Sequence, residues 1–70
     1  MIFVFKTSVK TKTQAMKLKP YLDKVLPNAK WNFDLIDCDK ILRINSEENI
    51  VWKTLDLLKS QNFACEELHE

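Results

Sequence analysis

The fold is decided by residues 31–45, which have the sequence WNFDLIDCDKILRIN. Apolar side chains occupy alternate positions on both sides of a polar stretch at residues 37–40. These alternating residues are Trp31, Phe33 and Leu35 before the stretch, and Leu42 and Ile44 after it. Such a period of two is typical of strands with one buried face. We therefore predict a β-hairpin.

Upstream of this hairpin, the pattern predicts a strand and then a helix. Residues 2–5 form a short apolar run that suits a central strand. Apolar residues then recur at helical spacing, at Ala15, Leu18, Leu22, Val25 and Leu26. Thr11 or Thr13 can cap this helix. Pro20 lies on its solvent side, where a curved helix absorbs the lost hydrogen bond, so we expect one continuous helix.

Downstream of the hairpin, a second helix and a last strand are expected. Ser46 followed by Glu47 and Glu48 predicts a helix start, because serine is a common N-cap and acidic residues are favourable in the first turn. Val51, Thr54, Leu55 and Leu58 would form the buried face, and residues 63–68 the final edge strand. Because the chain has no glycine, asparagine must supply positive φ, and we expect this at Asn28 and Asn62.

The element order predicts one α+β domain over residues 1–70, of the ferredoxin-like βαββαβ kind. Short right-handed connections place both helices on one face of a four-stranded antiparallel sheet with spatial order 4-1-3-2. Two cysteines are too few for a secreted disulfide framework, so a cytoplasmic protein is expected. The amino-terminal apolar run is far shorter than the roughly 20 residues of a membrane helix, so no membrane association is expected.

The fold markers of this chain resemble those of the heavy-metal-associated domain family, which includes copper chaperones. The resemblance spans nearly the whole chain. It rests on Leu26-Pro27-Asn28-Ala29 after the first helix, Phe33-Asp34-Leu35 in the second strand, and residues 55–58 followed by Asn62-Phe63. The resemblance implies the predicted fold, and it implies docking on acidic partner domains through a basic face near the first loop.

The metal-binding motif of that family, a Cys-x-x-Cys pair before the first helix, is missing here. Depending on whether the helix or the first strand is aligned, the cysteine positions hold Thr11 and Gln14, or Lys10 and Thr13. None of these side chains is a soft donor for Cu(I). We therefore predict a degenerate metal site and no cofactor.

The alternative is a metal-binding protein or metallochaperone that uses other ligands. Cys38, Cys65 and His69 are the candidates, and a site between two chains is one way to combine them. In the predicted topology, Cys38 and Cys65 lie about 12 Å apart, too far to share an ion within one molecule. Asp37 and Asp39 also disfavour the Cys38 thiolate.

Surface charge favours an interaction module over an enzyme. Residues 1–35 carry a net charge of +5 and residues 36–70 a net charge of −4. The positive half contains Lys10, Lys12, Lys17 and Lys24, which we predict to bind an acidic protein surface; a lysine-rich helix that only aids solvation is the simpler alternative. Nucleic acid is not expected, because the aromatic residues alternate inward. No catalytic arrangement of side chains is present in the sequence.

The sheet face that the helices leave uncovered is a second candidate interaction surface. Ile2 and Val4 point away from the helices if Phe3 and Phe5 point towards them, and Ile41 would join this apolar pair. A weak homodimer could use the face, unless polar neighbours such as Arg43 fold over it. Trp52 is expected to pack at the margin of the core.

Overall fold

The computed structural model describes residues 1–35 and 40–68. Six elements follow one another along the chain. They are β1 (Ile2–Thr7), α1 (Lys12–Val25), β2 (Lys30–Asp34), β3 (Ile41–Asn45), α2 (Val51–Ser60) and β4 (Cys65–Leu68). The strands form one antiparallel sheet in the order β2-β3-β1-β4, so the predicted ferredoxin-like topology is confirmed.

The pairing of β1 with β3 decides which of their apolar side chains share a face. Phe3 pairs with Ile44 and Phe5 pairs with Leu42 across the two central strands. These side chains lie on the same face and contact both helices in one core. The fully buried members of this core include Phe5, Val9, Leu18, Leu22, Leu42, Ile44 and Leu58. Both helices therefore cover one face, as predicted, and no described helix covers the other face.

The first helix matches its prediction closely. Thr11 is its N-cap, and Ala15, Leu18 and Leu22 are its buried residues. Pro20 lies inside the helix and is exposed. A proline on the solvent side removes a hydrogen bond that water can replace, which explains why the helix continues through it.

The second helix begins later than predicted. It starts at Val51, and Ile50 is its N-cap. Ser46 is therefore not the N-cap, and no acidic residue lies in the first turn. Ser46 is buried, and its hydroxyl accepts a hydrogen bond from the Glu48 amide at 3.1 Å. The Ser46 hydroxyl therefore stabilises the turn after β3 and does not cap α2.

Positive φ angles occur at two described positions. Asn62 adopts φ 67° after α2, as predicted, whereas the prediction for Asn28 is wrong. Instead, Lys40 adopts φ 52° before β3. The Lys40 carbonyl accepts from both the amide and the hydroxyl of Thr7, at 3.1 and 2.8 Å, and its ammonium donates to the Leu35 carbonyl at 3.0 Å. These contacts hold a residue that ordinarily avoids this conformation.

Candidate functional site

The loop between β1 and α1 is hydrogen-bonded to the segment that precedes β4. The Ser8 amide donates to the Ala64 carbonyl at 3.1 Å, and the Ala64 amide donates to the Ser8 hydroxyl at 2.8 Å. Thr7 is buried, and its hydroxyl accepts from the Val9 amide at 3.2 Å. Val9 is fully buried in the core. These contacts fix where α1 begins.

Two side-chain contacts organise the start of α1. The Thr11 hydroxyl accepts from the Gln14 amide at 3.1 Å, and the Gln14 side-chain oxygen accepts from the Lys10 amide at 2.8 Å. The first contact satisfies one of the amides that a helix start leaves unpaired, and the second holds the residue before the cap. Thr11 and Gln14 are the residues that the helix-based alignment predicts at the cysteine positions of the resembled family. In the structure, both side-chain oxygens accept backbone hydrogen bonds at the helix start.

Cys65 is a weak candidate for a metal ligand. It begins β4 opposite Thr7, is half-buried and packs against the core. Burial raises the pKa of its thiol from 9.0 to about 12, which disfavours the thiolate that binds soft metals. Within residues 1–35 and 40–68, no three histidine, cysteine or acidic residues lie close enough together to hold an ion. The other two predicted ligands, Cys38 and His69, lie outside the described residues.

The predicted lysine set is exposed but does not form one patch. Lys10, Lys12, Lys17 and Lys24 are all exposed, and none forms an ion pair with another described residue. Lys12 lies beside β2, at the rim of a groove. At 100° per residue, Lys17 and Lys24 lie on the side of α1 that faces solvent, away from the buried stripe. Positive charge therefore covers two sides of α1.

The groove between α1 and β2 was not foreseen from the sequence. It has a volume of about 560 Å³, and its floor and walls are largely apolar. Its lining includes Ala15, Met16, Trp31, Phe33 and Leu35, with Lys12 and Lys19 at the rim. Met16 is 63% exposed. An apolar residue that lies off the buried stripe of a helix, as Met16 does, is the sequence signal that could have indicated this groove.

A small network fixes Trp31 in the groove. Its indole nitrogen donates to an Asp23 carboxylate oxygen at 3.2 Å, and the Lys19 ammonium lies 5.9 Å from its ring centroid. Lys19 also pairs with Asp23 at 3.5 Å. Phe33 meets the same indole edge-to-face, with ring centroids 5.8 Å apart. Aromatic contacts of this kind favour one ring orientation, so Trp31 is held in place.

The open sheet face is less apolar than predicted. Ile2 is 68% exposed and Leu68 is 36% exposed, with the partly buried Val4 between them in the sheet. Ile41, however, is only 4% exposed, so the expectation that it joins an exposed patch is wrong. Arg43 forms an ion pair with Asp34 at 3.3 Å. The exposed apolar surface is thus confined to the β1–β4 side of this face.

Trp52 is also placed differently from its prediction. It lies near the start of α2 and is 77% exposed, so it is not a packing residue at the margin of the core. The helical wheel places Trp52 about 140° from Thr54 and Leu58 on average, which accounts for its exposure.

Neither described helix is both long and apolar enough to cross a membrane. A comparison with known protein families and with curated proteins finds no match.

Proposed function

We propose that this chain is a small protein-interaction or regulatory module, related to heavy-metal-associated domains, in which the metal site is degenerate. The observation that carries the proposal is the cap at the start of α1. Thr11 and Gln14 stand where the family has thiols, and both side-chain oxygens already accept backbone hydrogen bonds. The same loop keeps exposed lysines that could attract a partner without any metal.

Charge supports an acidic partner. Residues 1–35 have a net charge of +5, and the exposed lysines of α1 and its preceding loop supply most of it. Lys17 and Lys24 have no acidic neighbour within ion-pair distance among the described residues. Unpaired surface charges of one sign speed the encounter with an oppositely charged surface and select it over others. An acidic protein surface is therefore the partner that fits the solvent side of α1, which carries Lys17 and Lys24.

Single-stranded nucleic acid, the other ligand of basic surfaces, fits less well. Its bases usually stack on exposed aromatic side chains in a positive groove. Here Trp31 and Phe33 are partly buried against the core, and Trp31 is tied to Asp23. Trp52 is exposed, but it lies on α2, in the acidic half of the chain. These placements favour a protein partner.

The experiment compares two double charge reversals that change net charge equally. Lys17→Glu with Lys24→Glu alters the proposed face, and Lys53→Glu with Lys59→Glu alters exposed lysines of α2. Each tagged variant is cross-linked in cells that express it, and the captured proteins are quantified by mass spectrometry. We expect the α1 variant to lose acidic partners that the parent and the α2 variant retain. Equal recovery by all three proteins would contradict the proposal.

A further inference from the structure

The sheet has two edges of different character. β2 forms one edge and β4 the other, because each pairs with a single neighbour. An edge strand presents unpaired backbone amides and carbonyls, and charged side chains in the strand centre usually prevent pairing with another copy. β4 has Glu66 and Glu67 at its centre, so two antiparallel copies would place acid against acid. This edge is protected.

The sequence of β2 is complementary to itself. The strand consists of Lys30, Trp31, Asn32, Phe33 and Asp34. If two copies pair antiparallel about Asn32, each Lys30 faces Asp34 of the partner, each Trp31 faces Phe33 of the partner, and the two Asn32 residues face each other. Opposite-charge and aromatic pairs are the cross-strand combinations that stabilise antiparallel sheets.

We propose that the chain forms a symmetric homodimer through antiparallel pairing of β2 with β2 of a second copy. The result is an eight-stranded sheet with all four helices on one face. A two-fold axis perpendicular to the sheet keeps facing residues on the same side, as an isologous interface requires. Lys30, Asn32 and Asp34 then meet on the open face, while Trp31 and Phe33 meet on the face that carries the helices.

The groove beside β2 supplies apolar surface for this contact. Trp31 and Phe33 line it, and Met16, 63% exposed, stands on the α1 side. Within one chain, Trp31 and Phe33 already meet edge-to-face at 5.8 Å, and pairing would extend this to four rings. A net charge of only +1 leaves little overall repulsion between copies. Five residues of strand give a small interface, so the dimer dissociates on dilution.

The Asp34–Arg43 ion pair is compatible with this arrangement. Arg43 reaches one Asp34 oxygen from β3, on the inner side of the edge strand. Lys30 of the partner would approach from the other side of β2. Lys10, Lys17 and Lys24 take no part in the contact, so dimerisation and the binding of an acidic partner can be tested separately.

The test uses two variants that should each be monomeric and should pair with one another. Lys30→Glu places acid opposite Asp34, and Asp34→Lys places lysine opposite Lys30. In a mixture, the first variant presents an acid at both positions and the second presents a lysine at both, so both charge pairs are restored. Sedimentation velocity from about 10 µM to about 1 mM covers the range of weak dimers. Near-ultraviolet circular dichroism verifies that each variant is folded.

We expect the parent chain to dimerise as its concentration rises and each variant to dissociate at least about tenfold more readily. The mixture should recover the dimer, and Glu66→Lys on the β4 edge should leave it unchanged. A parent that stays monomeric throughout would overturn the proposal. So would a dimer that survives Lys30→Glu but is lost with Leu68→Glu, because that result assigns the contact to the open sheet face. A mixture that fails to recover the dimer would overturn the proposed register.

Discussion

Replacing Thr11 and Gln14 together by cysteine tests what these two positions do. The change removes both side-chain hydrogen bonds of the α1 cap and introduces the thiol pair of heavy-metal-associated domains at the same place. Loss of a threonine N-cap costs about 1 kcal/mol. Loss of the second hydrogen bond costs about 1 kcal/mol more. A chain of this size has only roughly 4–10 kcal/mol of stability, so the metal-free variant should unfold at clearly lower urea concentration.

Metal should reverse this loss. A ligand that binds only the folded state, at a free concentration about 100 times its dissociation constant, adds about 2.7 kcal/mol, which exceeds the expected cost. Urea unfolding with and without Cu(I) under reducing conditions measures both effects. Lys10→Cys with Thr13→Cys is the matched control, because it adds two thiols but leaves the Thr11 and Gln14 side-chain bonds in place. The reasoning fails if the metal-free Thr11/Gln14 variant is as stable as this control, or if Cu(I) does not raise its stability.

Three further outcomes follow from burial and backbone conformation. In a Cys38→Ser background, Cys65 should react with iodoacetamide at pH 9 at least about tenfold more slowly than in urea, because burial raises its pKa to about 12. The folded state favours the protonated thiol, so its contribution to stability is complete below pH 9 and is lost as the pH rises towards 12; a faster reaction in the folded chain would contradict this. Asn62 has φ 67°, which a β-branched residue adopts only at a cost. Asn62→Val should therefore lower the free energy of unfolding by about 1–2 kcal/mol, whereas Asn62→Gly should not. Equal urea midpoints for the two variants would refute the left-handed conformation of Asn62. Leu22→Ala, at a fully buried core position, should cost about 2–5 kcal/mol, and thermal unfolding within a degree of the parent would be inconsistent with the core described.

Periodicity was sufficient to predict the sheet and the first helix. Alternation in β2 and at Leu42 and Ile44 of β3 predicts which side chains face the helices, because a one-residue shift in register would expose them together. β1 is apolar on both faces, so its orientation follows from its pairing with β3. The stripe in α1 is equally constrained. Pro20 did not interrupt it, since its position on the solvent side costs no core contact.

The errors lie where one local motif has several uses. Ser46 followed by two glutamates fits a helix start, yet its hydroxyl stabilises the turn that precedes α2. The left-handed residue before β3 is Lys40, which is held by a bond to Leu35 nearby in the chain and by bonds to Thr7, which is distant in sequence. Composition alone favoured asparagine and so suggested Asn28. Tertiary hydrogen bonds of this kind leave no local pattern to detect.

The sequence predicted which residues lie at the candidate site better than it predicted how they are arranged in space. The absence of paired cysteines before the first helix is visible in the sequence, whereas the contacts of the Thr11 and Gln14 side chains became clear only from the hydrogen bonds. The lysines were foreseen as exposed, but their division between the groove and the solvent side of α1 depends on helix rotation. The groove requires β2 and α1 to meet at an angle that periodicity does not encode.

The most direct test of the central claim is a Cu(I) competition titration of the reduced parent chain against a chromophoric chelator, beside a variant in which Cys38 and Cys65 are replaced by serine. The Thr11 hydroxyl and the Gln14 amide oxygen at the start of α1 both accept backbone hydrogen bonds, and neither is a soft donor. We therefore expect the serine variant to leave the chelator fully loaded with Cu(I). Stoichiometric Cu(I) binding by that variant would contradict the account, because it would show that the chain holds a soft metal without any thiol.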